Sequence, residues 1–228
     1  MTFSTPTHGS ASALQRSPNG SVWLHADGRV SAGAALAVVL IATAFFAGFL
    51  WLGHRSERPL EALVRDPAAT FGYWPFYGML SHLGVFLMIA TSAICLFAAL
   101  VTRRDRGLLI SIGWFSGYLA MDDFFMLHEA IFPWHGVPEI AVLGTIAAAA
   151  LLIFAVFRAH FFSRPAIAIW LSGGLLAVSI GLDILLDYSV TQVLIEDGFK
   201  FAGLALWAVY WTLVARAAAL GTGARRTG

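Results

Sequence analysis

Residues 76–101 read FYGMLSHLGVFLMIATSAICLFAALV, a run without a single Asp, Glu, Lys or Arg. About 20 predominantly apolar residues in a helix cross the hydrocarbon core of a bilayer, so this stretch predicts a transmembrane helix. Reading outward, comparable runs occur at roughly 31–52, 107–131, 139–161, 166–188 and 194–219. The expected fold is an all-α membrane protein, a bundle of six transmembrane helices. Composition agrees: 59% of the residues are hydrophobic and 12% charged, against roughly 25% charged in an average soluble domain. Eighteen Phe and eight Trp would leave a soluble protein coated in apolar surface, which a lipid solvent accommodates.

The domain layout follows from the same pattern. Residues 1–30 are rich in Ser, Thr, Gly and Asn and are expected to form a flexible cytoplasmic tail. Residues 31–219 form the transmembrane domain, and 220–228 a short flexible C-terminal tail. The first apolar run is too long for a signal-peptide core and ends in Leu50, Trp51 and Leu52 rather than small residues, so it reads as an anchor. The lone Cys95 rules out an intrachain disulfide. The aromatic run Tyr73, Trp74, Phe76 and Tyr77, and Trp134 in a later turn, suit the lipid–water interface. Of fourteen Lys and Arg, ten fall on one side if the N-terminus is inside: Arg16, Arg29, Arg103, Arg104, Arg106, Arg158, Arg164, Arg216, Arg225 and Arg226. The positive-inside rule then predicts both termini in the cytoplasm, in the cell (inner) membrane. Basic residues scattered in twos and threes give no stripe for nucleic acid. Membrane lipids are the expected partners.

Ionisable residues inside membrane helices cost roughly 2.5–3.5 kcal/mol or more each near mid-bilayer, so their placement is informative. They are His82, the pair Asp122 and Asp123, His128 and Glu129, Asp183 and Asp187, then Glu196, Asp197 and Lys200. With the topology above, all fall in the outer half, on four helices. Helical spacing puts Asp122 and Glu129 on one face, Asp183 and Asp187 on another, and sends Asp123 and His128 elsewhere around their helix. Glu196 and Lys200 stand in acid-first order for an ion pair. Glu129, Asp187, Glu196 and Asp197 lie near enough to helix ends to be ordinary interfacial acids. Gly173, Gly174 and Gly181, and the alanines at 147–150, read as close helix packing.

Carboxylates with imidazole are ligands for zinc, iron or manganese. The expected site is an outward-facing acidic pocket in which His82, Asp122, His128 and Asp183 hold a divalent metal. Asp123 or Glu129 accepts a proton there, and Lys200 stabilises developing negative charge. The reaction expected is metal-dependent hydrolysis of a lipid-like substrate entering sideways. The alternatives are a proton- or cation-linked transporter, or a non-catalytic membrane scaffold or sensor. Transport fits less well, because the inner half shows no polar stations.

The string Asp122-Asp123 through His128-Glu129, with Glu196-Asp197-Gly198-Phe199-Lys200, resembles a pattern of small multi-pass prokaryotic membrane proteins of unknown function. More distantly, Ser81, His82 and Asp122 or Asp123 resemble part of the Ser, Asp and His set of the CREST membrane hydrolases, which include alkaline ceramidases. That resemblance implies zinc-dependent hydrolysis in a helical bundle. Here the last helix carries Glu196-Asp197-x-x-Lys200 where those proteins have paired histidines.

Overall fold

The computed structural model describes residues 32–55, 65–162, 167–186 and 189–221. The tail at 1–30, residues 222–228, Asp187, Glu57, Glu61, and Arg16, Arg29, Arg58, Arg164, Arg225 and Arg226 lie outside the described residues. The chain divides into two compact units, Met1–Tyr77 and Gly78–Gly228.

In the first unit, α1 (Ala32–Arg55) is apolar all round and ends where the Arg55 guanidinium lies 5.7 Å from the Trp51 ring. A short helix, α2 (Pro67–Phe71), starts at Asp66, whose Oδ1 accepts from the backbone N–H of Ala68 at 2.8 Å and of Ala69 at 3.2 Å. Gly72 ends it with φ 70°, a left-handed conformation that glycine adopts without strain. Trp74 then meets Phe76 edge-on at 5.0 Å.

The second unit contains α3 (Met79–Val101), α4 (Arg106–Phe125), a π-helical turn (Leu127–Ile131), α5 (Phe132–Trp134), α6 (Glu139–Val156), α7 (Arg158–Phe162), α8 (Ile167–Leu185) and α9 (Val190–Ala219). Helix α3 packs on α4 and on α9, and α9 packs on α8. Helix α6 stays marginal, with Val142 its one buried residue. Among the described residues, five helices are long and apolar enough to cross a membrane: α1, α3, α6, α8 and α9. Helix α4 has the length, but its serines, glycines and the Asp122–Asp123 pair dilute its apolarity. The protein is thus an all-α membrane protein with several membrane-length helices.

Lipid tails are as apolar as leucine, so helix association relies on close packing at small residues. Glycines that do this include Gly113, where an added Cβ would lie 2.6 Å from Leu96 Cγ, Gly84, 2.9 Å from Leu204 Cδ1, and Gly203, 2.8 Å from Leu176 Cγ. Ser172 Oγ also donates to the Gly203 carbonyl at 2.7 Å. The packing expected at Gly173, Gly174 and Gly181 is corrected: nothing lies within 4 Å of a Cβ at any of the three. Helix α8 turns Ser172, Leu176 and Ser179 toward its neighbour instead, which rotates those glycines outward.

Successive layers run down α3, α4 and α9. Ser81, Asp123 and Lys200 form a polar layer. Beneath it, Val85, Met88, Ala120 and Leu204 form an apolar cluster. Next, Trp207 Nε1 donates to Ser116 Oγ at 2.9 Å. A larger apolar cluster follows, including Cys95, Leu109, Ile112, Trp211 and Ala215. Ser116 is fully buried, so Ser116→Ala strands the Trp207 donor at an expected cost of about 1–3 kcal/mol. Denaturation in detergent checks this, with Thr145→Ala as comparison. Among the described residues the Thr145 hydroxyl bonds only its own helix, at Ala141 O, and its loss should be close to neutral.

Candidate functional site

Helix α4 does not continue through Glu129. Met126 adopts a left-handed conformation, φ 52°, and its N–H reaches back to the carbonyls of Asp122 and Asp123. A non-glycine residue there pays a steric cost, and the π-helical turn that follows brings His128 back over the end of α4. The Asp122 carboxylate holds the turn with both oxygens: Oδ1 accepts from the His128 backbone N–H at 3.2 Å, and Oδ2 lies 2.6 Å from the ring Nδ1. The Asp122 side chain is 5% exposed and that of His128 12%. The other ring nitrogen, Nε2, faces Glu129 Oε1 at 3.5 Å. The expected shared face of Asp122 and Glu129 is therefore replaced by a direct Asp122–His128 contact, because the helix breaks between them.

Asp123 points across the bundle. It accepts from Ser81 Oγ of α3 at 3.3 Å and forms an ion pair with the Lys200 ammonium of α9. The expected Glu196–Lys200 pair is likewise corrected. Helix α9 begins four residues before the predicted span, capped by Ser189 Oγ accepting from the Gln192 N–H at 3.1 Å. The extra turn presents Gln192, whose amide donates to Glu196 Oε2 at 2.6 Å. Lys200 is left to reach Asp123, a stronger partner because both groups sit between packed helices. Gln192 and Ser189 were not singled out from sequence; an S-x-x-Q cap ahead of the apolar run was the available signal.

The remaining acids gather round these pairs. Asp183, Asp197, Glu129 and Lys200 lie within electrostatic reach of Glu196, and Glu129 and Asp197 within reach of Lys200. Asp183 is exposed, and with Glu139, Ile140, Leu143 and Ile184 it lines an open cavity of about 290 Å³. His82 stands apart: it is exposed on α3, and although its backbone N–H donates to the Gly78 carbonyl at 3.0 Å, its ring has no hydrogen-bonding or ionic partner among the described residues. The structure thus brings together Asp122 with His128 and Glu129, and Asp123 with Lys200, while His82 and Asp183 lie outside both contacts.

Beside Ser81, Asp123, Asp197 and Lys200 is a cavity of about 10 Å³, the space of a single water. Among the described residues, no group of three or more His, Cys, Asp or Glu is arranged to hold a metal ion as the side chains stand. What the arrangement does provide is an imidazole oriented by a carboxylate and an ammonium fixed by another.

No curated protein and no solved structure matches the chain. One family matches residues 33–214, which covers nearly all of α1 and of the second unit, including both polar pairs. With that span, the chain belongs to the family described as a domain of unknown function, DUF8692.

Proposed function

We propose that the chain is a membrane-embedded hydrolase whose site lies at the polar end of the second unit and whose substrate is a lipid-like ester or amide. The observation that carries this reading is the Asp122–His128 contact at 2.6 Å, reinforced by the backbone bond to the same carboxylate. A carboxylate on Nδ1 fixes the ring and leaves Nε2 to do chemistry, either taking a proton from water or ligating a metal. In this reading His128 takes the proton from the attacking water and Glu129, facing Nε2, shares it. In the same reading Lys200, held by Asp123, supplies the positive charge that stabilises the substrate oxygen. A divalent metal (zinc, iron or manganese), if it takes part, would require side chains to move, because no three of the described His, Asp or Glu groups stand together to hold one; His128 and Glu129 are the pair it would meet, and it would supply Lewis-acid polarisation of the carbonyl. Asp122 acts behind His128, fixing its ring. The orientation we favour places this end outside and the arginine-bearing end in the cytoplasm.

Transport has less support, because two apolar clusters and the Ser116–Trp207 contact fill the bundle below the polar layer. A non-catalytic scaffold is favoured by one observation: the space beside Asp123 and Lys200 fits a water, not a headgroup.

The test uses the full chain in lipid nanodiscs with a panel of lipid esters and amides, with and without added zinc, iron or manganese. His128→Ala and Asp122→Asn are each expected to lower turnover by about 100-fold or more while the protein stays helical. Absence of turnover by the unsubstituted chain under every condition would end the hydrolase reading. Unfolding of Asp122→Asn in that case would select the scaffold.

A further inference from the structure

The opposite end of the second unit is basic. In the turn joining α3 to α4, the Arg104 N–H bonds to Thr102 Oγ1 at 3.1 Å and Asp105 turns left-handed, φ 53°. The turn sets out Arg103 and Arg104, and Arg106 opens α4. The end of α6 returns to the same place. A Cβ on Gly107 would lie 3.6 Å from the Phe157 ring, so Arg158, the next residue, comes beside the start of α4. Arg216 lies at this end too, since Ala215 and Ala218 share an apolar cluster with Ala98, Leu108 and Phe161. Arg104 pairs with Asp105 at 3.4 Å. Among the described residues, Asp105 is the one acid at this end, and Arg103, Arg106, Arg158 and Arg216 form no ion pair.

These cations border apolar surface. Leu151, Leu152 and Val156 on the last turns of α6 are each more than 60% exposed. Phe154, Phe162 and Trp170 form an aromatic cluster at the same level, Phe154 to Trp170 at 5.3 Å and Phe162 to Trp170 at 5.9 Å. Aromatic rings of this kind sit at headgroup depth.

We propose that this end is a docking surface for anionic phospholipid. The headgroup phosphate lies among Arg103, Arg106 and Arg158, and an acyl chain runs along the exposed leucines of α6. Charge complementarity calls for an anion, and the apolar flank directly below the arginines calls for one attached to a hydrocarbon chain. A soluble phosphate would use only the first of these features.

The experiment is native mass spectrometry and thermal unfolding of the full chain in neutral detergent, offered phosphatidylglycerol, phosphatidylcholine or inorganic phosphate. Phosphatidylglycerol is expected to be retained and to raise the unfolding temperature more than phosphatidylcholine, with phosphate doing neither. Each basic residue near an anionic surface contributes about fivefold in affinity. The triple variant R103Q/R106Q/R158Q should therefore lose about 100-fold, and R103K/R106K/R158K should keep most of the binding. Equal retention of the two lipids, unchanged retention in the glutamine variant, or a phosphate-only shift would each overturn the proposal. The lipid comparison on the unsubstituted chain decides the matter even if the glutamine variant fails to fold.

Discussion

Asp123→Asn is expected to destabilise the second unit by about 2–3 kcal/mol in detergent. The substitution keeps the size of the side chain and its capacity to accept from Ser81, but removes the counter-charge of Lys200. The Asp123 side chain is 15% exposed and that of Lys200 32%. Removing one partner of a fully buried pair costs about 3–5 kcal/mol. The residual exposure of Lys200, and the acids Glu129 and Asp197 within its reach, lower that figure here. The double variant Asp123→Leu/Lys200→Met should recover most of the loss, since packed apolar groups of similar volume replace a buried pair at little cost. Unfolding curves for the single and double variants check this. A single variant as stable as the parent would mean that the ion pair holds nothing together.

Gly113→Leu should abolish the packing of α3 on α4. Even a methyl group at this position would lie 2.6 Å from Leu96 Cγ and 3.3 Å from the Ser92 carbonyl oxygen. The first contact is at a branch point near the backbone and the second is with the backbone itself, so rotating a side-chain tip does not relieve them. Gly113→Ala is expected to cost about 1–3 kcal/mol by overpacking, and leucine to prevent the native arrangement. Gly144→Ala and Gly173→Ala meet nothing within 4 Å and should be neutral or slightly stabilising, given alanine's helix propensity. Size-exclusion profiles and unfolding midpoints in detergent separate the two classes. If Gly113→Ala matched Gly173→Ala, the close approach of α3 and α4 would be wrong.

Much of the architecture was legible because the membrane constraint is one-dimensional. A helix satisfies its own backbone, and its length and apolarity can be read along the chain. The predicted runs at 76–101 and 166–188 correspond to Met79–Val101 and Ile167–Leu185, with ends shifted by a few residues. The third run is where this logic stops. Nothing in Met126 marks a left-handed residue, since that conformation is rare for it and is imposed by the turn around His128. An unbroken helix was the reasonable extrapolation, and it put His128 on the wrong face relative to Asp122.

Pairings between helices were less accessible still. Local spacing pairs Lys200 with Glu196, four residues before it, and the choice of Asp123 on α4 depends on how α9 rotates against α3 and α4. That rotation is set by Gly203, Gly84 and Trp207, whose contacts with other helices are more than twenty-five positions away in sequence. Gly173 and Gly174 looked like packing residues for the same reason that Gly203 is one, and composition does not distinguish them.

By itself, the sequence determined that this is an all-helical membrane protein, with the acids of its later helices toward one end and most of the arginines of those helices toward the other. Those properties follow from solvent and charge, which act on each segment independently. Only the tertiary structure decided which carboxylate meets which cation, because that depends on helix rotation and on a single left-handed residue, and both are settled by packing between distant parts of the chain.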